Sequence, residues 1–487
     1  MTRRDVMKAL TATPLIGAAL ASPPKYDPTW ESIDSRATPS WFTDAKFGVF
    51  IHWGIYSVPS FAAVNKKDET GYAEWYWNSL VSGKPTTQQF HRKNYGDAFK
   101  YEDFAPQFRA EMYDPDHWAD VFEKAGAKYV ALTSKHHEGF TLWKNAEANK
   151  AWGRPWNAVD IGPKRDILLD LMTAGRKKNL HMGVYYSLYE WYNPLWLKDR
   201  ARYAVEHMHP QFKDLVNHAQ PDIIFSDGEW DMQSAEWKSP ELLAWLLNES
   251  PVKDSVVIND RWGKDCRHKH GGYYTTEYTS GMQLGNHPWE ESRGMGYSYG
   301  YNRAETLTDY HSGRQLTLML VDLVSRGGNL LLDIGPTADG RIPVIMEQRL
   351  LEIGAWLKVN GEAIYGTRQW KKSKQWSEGT PPKMEEKEFM ADYNITNLVD
   401  NPPAGYARAD AFFTSRANTV YAILPRRPLG KVVLSDMEGP SQIRVSLLST
   451  GERFKTSLAY GKLTIEVPAA ISAQIPDSEL YVFKIER

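Results

Sequence analysis

Between residues 40 and 365 short apolar runs alternate with helix-length amphipathic stretches, the pattern of βα units laid on a parallel sheet. One unit shows how it is built. Asp114 can cap a helix with Pro115 in its first turn. Trp118, Val121, Phe122 and Ala125 then share one face, Gly126 stops the helix, and Tyr129-Val130-Ala131-Leu132 follows as a buried strand. The same grammar predicts strands at 47–51, 129–133, 182–186, 223–226, 256–259 and 330–334, with a weaker one near Tyr274. Polar and aromatic residues crowd the C-terminal end of nearly every one: His52 and Trp53, His136 and His137, Tyr185 and Tyr186, Asp227, Asp260 and Arg261, Asp333. In a closed parallel barrel those ends converge on one mouth, where catalytic groups sit. The predicted fold class is therefore α/β, a (β/α)8-type (TIM-like) barrel over 28–368, with an irregular strand around 270–300.

Past Tyr365 the pattern changes to a charged, proline-bearing stretch, 371–387, and then to short alternating strands at 419–423, 431–434 and 463–467. These predict a C-terminal β-sandwich over 369–487. A length of 487 residues suits such a division, because it exceeds what one ordinary core holds. At the other end, Thr2-Arg3-Arg4-Asp5-Val6-Met7-Lys8 leads into an apolar stretch ending Ala19-Leu20-Ala21. That reads as a signal peptide over 1–21 of twin-arginine type, so export to the periplasm or the extracellular space is expected. No later apolar run reaches the roughly 18 residues of a membrane span.

Charge narrows the partners. The chain carries 58 Lys and Arg against 60 Asp and Glu, with no block of like charge, which speaks against electrostatic binding of nucleic acid or of a membrane surface. Aromatic residues make up 13% of the chain and include 19 Trp, and flat ring faces are what an enzyme sets against the C–H faces of sugars. A single cysteine, Cys266, excludes intrachain disulfides and a cysteine-based metal cluster.

Cleaving a glycosidic bond with retention takes two carboxyl groups about 5 to 5.5 Å apart, one ionised to attack and one protonated to donate. Asp227 closes the run Ile223-Ile224-Phe225-Ser226, and Gly228 lets the chain turn away behind it, which fits the attacking group. A turn or cap aspartate is the alternative. A serine nucleophile is hinted at by Gly296-Tyr297-Ser298-Tyr299-Gly300, yet the polar, glycine-broken approach 292–295 does not suit the buried strand that a nucleophile elbow requires. His136-His137-Glu138 lacks the second histidine four residues on that a zinc helix needs, and no metal is expected there. Neighbours on a strand point to opposite faces, so only one of the two histidines, and only one of Tyr185 and Tyr186, is expected to face inward.

Six segments in order carry a family resemblance: 41–54 (Trp41-Phe42-Thr43 through His52-Trp53-Gly54), Lys135-His136-His137-Glu138-Gly139-Phe140, Gly183-Val184-Tyr185-Tyr186-Ser187, Asp227-Gly228-Glu229-Trp230, Asn259-Asp260-Arg261-Trp262-Gly263 and Asn360-Gly361-Glu362-Ala363-Ile364-Tyr365. Together they resemble glycoside hydrolase family 29, the α-L-fucosidases. The resemblance implies a retaining, exo-acting hydrolase of terminal α-L-fucose on an oligosaccharide or glycoconjugate, needing no cofactor. It implies Asp227 as nucleophile, with His52, Glu74, Trp75, His136, His137, Tyr185 and Arg261 lining the fucose pocket. Trp75 or Phe225 could pack on the C5 methyl. For the acid/base, Glu277 in Tyr273-Tyr274-Thr275-Thr276-Glu277-Tyr278 is preferred to Glu290 in Pro288-Trp289-Glu290-Glu291, and aromatic flanks are expected to raise its pKa. A fucose-binding protein without turnover, or a retaining glycosidase of related specificity, are the other readings. Oligomerisation stays open, and linkage preference falls to loops such as 61–110 and 264–300.

Overall fold

The computed structural model describes residues 25–64, 70–279, 287–383, 389, 394–440 and 443–487. The expected signal peptide lies outside them. Eight parallel strands form the larger sheet: β1 Phe47–Ile51, β2 Tyr129–Lys135, β3 His181–Ser187, β4 Ile223–Asp227, β5 Val257–Ile258, β6 Tyr274–Glu277, β7 Trp289–Gly294 and β8 Asn329–Ile334. They run in the order β5-β4-β3-β2-β1-β8-β7-β6, the arrangement of a TIM-like barrel. Between β5 and β6 there is no strand ladder. The seam is stitched instead by the backbone N–H groups of Gly272 and Tyr273 donating to the Ile258 carbonyl, and by Asp260, which accepts from the Thr275 hydroxyl at 2.7 Å and its N–H at 3.2 Å.

The helix Pro115–Lys124 forms as its sequence dictates. The Asp114 carboxylate accepts from the N–H groups of Asp116 and His117, Trp118, Val121 and Phe122 are buried, and Gly126 turns out at φ +83°. The regular grammar fails after β5 and after β6, where the described residues contain no crossover helix. The strand β7, Trp289-Glu290-Glu291-Ser292-Arg293-Gly294, was not among the strands predicted. It carries the irregularity expected in 270–300.

Alternation along the strands fills the barrel. Phe50, Tyr129, Ala131, Tyr185, Ile223, Phe225, Val257, Tyr273 and Leu331 form the inner cluster, while Val49, Ile51, Val130, Leu132, Val184, Ile224 and Leu332 join the core toward the helices. Gly48 has no side chain because the Tyr129 ring occupies the place of its Cβ, 2.3 Å away.

The C-terminal residues form two antiparallel sheets, one of β9 Arg368–Trp376, β10 Ala409–Arg416, β11 Thr419–Leu424, β13 Arg444–Leu447 and β16 Tyr481–Glu486. The other holds β12 Gly430–Leu434, β14 Lys455–Ala459 and β15 Lys462–Val467. Part of the charged stretch read as a connection is thus strand β9. The five-stranded sheet is covered on both faces. Val420, Ala422, Phe483 and Ile485 pack toward the smaller sheet, while Tyr421, Ile423 and Val482 join the barrel's core, against the helix Gly313–Ser325. A buried ion cluster ties the two: Lys374 on β9 meets Asp322 of that helix, which also accepts from Arg326 at 2.8 Å.

Candidate active site

A cavity of about 730 Å³ opens at the C-terminal ends of the strands. His52, Glu74, Trp75, His136, His137, Tyr185, Phe225, Asp227, Arg261 and Glu277 all line it. Glu290 does not.

Asp227 ends β4, where period two brings it to the same side as Phe225. Gly228 then turns the chain at φ +73°, and a Cβ there would strike the Tyr189 ring at 2.4 Å. Asp227 Oδ1 accepts from Arg261 Nη1 at 2.8 Å, and Oδ2 accepts from the Tyr185 hydroxyl at 2.8 Å. Burial opposes charge on this carboxyl, but Arg261, with Arg267 behind it, holds it well below the ordinary range. It stands ionised. The same guanidinium donates through Nη2 to Glu277 Oε2 at 3.1 Å and through Nε to the Thr275 hydroxyl at 2.9 Å, and it lies 4.8 Å above the Phe225 ring. One arginine therefore bridges the carboxylates of β4 and β6. The Glu277 carboxylate meets that cation rather than the apolar surroundings expected from its flanks, because the Tyr278 hydroxyl turns to the Tyr297 carbonyl.

Both histidines of the pair reach the cavity, contrary to the alternation argument. β2 ends at Lys135, so His136 and His137 sit on the turn beyond it, where strand alternation no longer applies. Tyr185 and Tyr186 do obey it, Tyr186 facing outward to Gln211 at 2.9 Å. The Ser187 hydroxyl donates to the Tyr189 carbonyl at 2.6 Å and so accepts from His137 Nδ1 at 2.7 Å. That assigns the His137 hydrogen to Nδ1. Burial, with His136 adding to it, pushes His137 well below its usual pKa, leaving Nε2 as a bare acceptor 3.6 Å from Asp227.

His52 is wired the opposite way. Its Nδ1 lies 2.7 Å from Asp333 Oδ1, and burial pushes the histidine down and the aspartate up, so the pair is held without net charge. Whichever atom carries the shared proton, Nε2 keeps a hydrogen and serves as a donor. Glu74 accepts from Gly300 N–H at 2.8 Å, and burial raises its pKa to about 7. The serine of the Gly-x-Ser-x-Gly pattern lies on a loop, not an elbow. The Ser298 hydroxyl donates to the Gly300 carbonyl at 2.7 Å and touches Glu74.

Register explains why Glu290 is absent from the mouth. Glu277 pairs with Ser292, and Thr275 with Glu290, so Glu290 lies one inward position deeper, about 6.6 Å along the strand. There it accepts from the Tyr129 hydroxyl, and burial raises its pKa to about 8. Its neighbour Glu291 faces the other way and holds Thr276 and Thr279. Among the described residues no three His, Cys, Asp or Glu side chains are grouped to hold a metal, and His136 Nδ1 approaches Glu138 at 3.4 Å.

Several lining residues escaped the sequence reading. Glu229 lies two residues past Asp227 in the segment Asp227-Gly228-Glu229-Trp230. It is buried, 2.6 Å from Arg267. Tyr299, stacked 4.7 Å from His52, and Tyr72 come from loops without a periodic signal, and Phe389 from the stretch after β9, where it bridges Glu277.

An attacking-type carboxylate held ionised, a second one facing the same cavity, and ring faces around both suit the cleavage of a bond to a sugar, and the comparisons bear this class out: the chain is a glycoside hydrolase. Residues 15–362 match the family model described as alpha-L-fucosidase, and the chain belongs to that family. It is 47% identical over 359 residues to an alpha-L-fucosidase of Dictyostelium discoideum, covering 71% of this chain and 76% of the relative. With the tissue alpha-L-fucosidase of Homo sapiens it shares 40% over 479 residues, 96% of this chain and 93% of the relative. The Thermotoga maritima alpha-fucosidase solved in complex with fucose superposes with a TM-score of 0.75 at 36% identity, covering 95% of this chain and all of that one.

Proposed function

We propose that this chain hydrolyses terminal α-L-fucosidic bonds with retention, Asp227 attacking and Glu277 serving as acid and then base. The observation that carries the proposal is the Asp227–Arg261–Glu277 bridge, which sets an ionised carboxylate and a second carboxyl on one cavity. In the first step Asp227 Oδ forms a bond to the anomeric carbon as the bond to the leaving oxygen breaks, and that oxygen takes its proton from Glu277. In the second, Glu277 removes a proton from water, which attacks the anomeric carbon and frees Asp227. Arg261 neutralises charge on both carboxylates as it passes between them. The bare His137 Nε2 and the donor His52 Nε2 read sugar hydroxyls of opposite polarity, and Phe225 and Trp75 offer apolar faces for the C5 methyl.

Export through a twin-arginine route belongs to the same proposal, supported by Arg3-Arg4 before the apolar stretch ending at Ala21. The sugar released first distinguishes the mechanism. Proton NMR of an aryl α-L-fucoside digest is expected to show α-L-fucose before mutarotation. Accumulation of the β anomer would replace retention by inversion, and an absence of turnover would favour a fucose-binding protein.

A further inference from the structure

Beyond the carboxylates the cavity is walled by two segments sewn to each other, the residues after β4 and the loop after β5. Lys264 N–H donates to the Met232 carbonyl at 3.0 Å, Asp265 accepts from Ser234 at 2.7 and 2.9 Å, and Arg267 meets Glu229 at 2.6 Å. These bonds occupy the acids of the region, and nearby Asp231 is held by Arg200 at 3.1 Å. Lys264 and Lys269 are different. Both line the cavity, both are exposed, and neither forms an ion pair among the described residues.

Trp230 stands on the same wall. It stacks on Trp75 at 6.1 Å and abuts His137 and Tyr189, so its ring is held in place, yet it remains 39% exposed. A fixed, half-open indole beside a sugar-cleaving site is a platform for the C–H face of a second ring. Two exposed ammonium groups lining the same cavity would be wasted on a neutral sugar.

We propose that Trp230, Lys264 and Lys269 form a leaving-group subsite that takes a sugar bearing an anionic substituent, a carboxylate or a sulfate ester. The inference rests on the fucosidase reading above and adds the class of acceptor released. The ring stacks on Trp230, and its acidic group lies toward the two lysines. Because both lysines are solvent-exposed, the preference is modest and salt-dependent.

The test uses the full-length enzyme and three kinds of substrate. α-L-Fucosyl fluoride expels an atom that reaches no such subsite. Paired phenyl α-L-fucosides carrying a carboxylate or a carboxamide differ in charge, and fucosylated disaccharides with and without a sulfate ester repeat the comparison. The expected result is that Lys264→Ala/Lys269→Ala lowers the anionic-to-neutral ratio of kcat/KM by about three- to tenfold in low salt, while fluoride hydrolysis persists. Comparing the ratio between enzymes cancels the intrinsic difference in leaving-group reactivity. Trp230→Ala is expected to raise KM for the disaccharides about tenfold. A shift confined to the carboxylate or to the sulfate pair would support the subsite and name its acid. An unchanged ratio with fluoride hydrolysis intact would overturn the subsite alone. Failure of the unmodified enzyme to hydrolyse fucosyl fluoride would overturn the fucosidase reading and the subsite with it.

Discussion

Replacing Glu290 with glutamine separates a structural carboxyl from a catalytic one. The side chain is buried inside the barrel, one position below the mouth, and accepts from the Tyr129 hydroxyl. Burial holds its proton to about pH 8, against an ordinary value of 4.5. Its contribution to stability is therefore fully present below about 4.5 and is lost as the pH rises through about 8, since the folded chain keeps a proton that the unfolded chain has released. The difference corresponds to about 4 to 5 kcal/mol over that window. Glutamine keeps an acceptor for Tyr129 and never ionises. Urea unfolding of wild type and Glu290→Gln at pH 5, 6.5 and 8 is expected to show similar midpoints at the acid end and a higher midpoint for the variant at pH 8. Turnover of an aryl α-L-fucoside should stay within about twofold, because the residue does not line the cavity. A folded variant that lost turnover, with activity restored by azide, would refute the reasoning and make Glu290 the proton donor.

The His52–Asp333 pair predicts a graded response: Asp333→Asn can donate to His52 Nδ1 and preserve the donor at Nε2, so it should retain about tenfold more kcat/KM than Asp333→Ala. Gly228→Ala places a methyl against Tyr189 at a φ of +73°, and is expected to lower kcat by at least about tenfold while costing about 1 to 2 kcal/mol in thermal unfolding. Lys374→Met leaves buried Asp322 with Arg326 as its cation and should destabilise the chain by about 2 to 4 kcal/mol by calorimetry, with turnover at 25 °C little changed.

Strands β1 to β4 and β8 were legible because each is a near-continuous apolar run, the mark of a strand buried on both faces. β7 was hidden for the converse reason. Its Glu290, Glu291, Ser292 and Arg293 are polar yet buried, and only tertiary partners such as Tyr129, Thr276 and Thr279 make that tolerable. The missing helix after β5 left no pattern either, since the seam is closed by Asp260 and Thr275, two small polar side chains 15 positions apart. In the site, Asp227 was readable from its strand end and its glycine. Which of Glu277 and Glu290 reaches the cavity was not, because it turns on the register of β6 against β7, which one sequence does not encode locally. The paired histidines failed for a related reason, as the strand ends at Lys135, two residues short of what an inward-outward argument requires.

The most direct test of the account replaces Asp227 by glycine, which removes the attacking carboxylate and opens space beside Arg261. With an aryl α-L-fucoside the variant is expected to lose at least about a thousandfold in kcat. Added azide should restore turnover and give β-L-fucosyl azide, the product of a single inverting attack. Full activity in the variant, or rescue that yields only the α-azide, would contradict the assignment of Asp227 as the nucleophile.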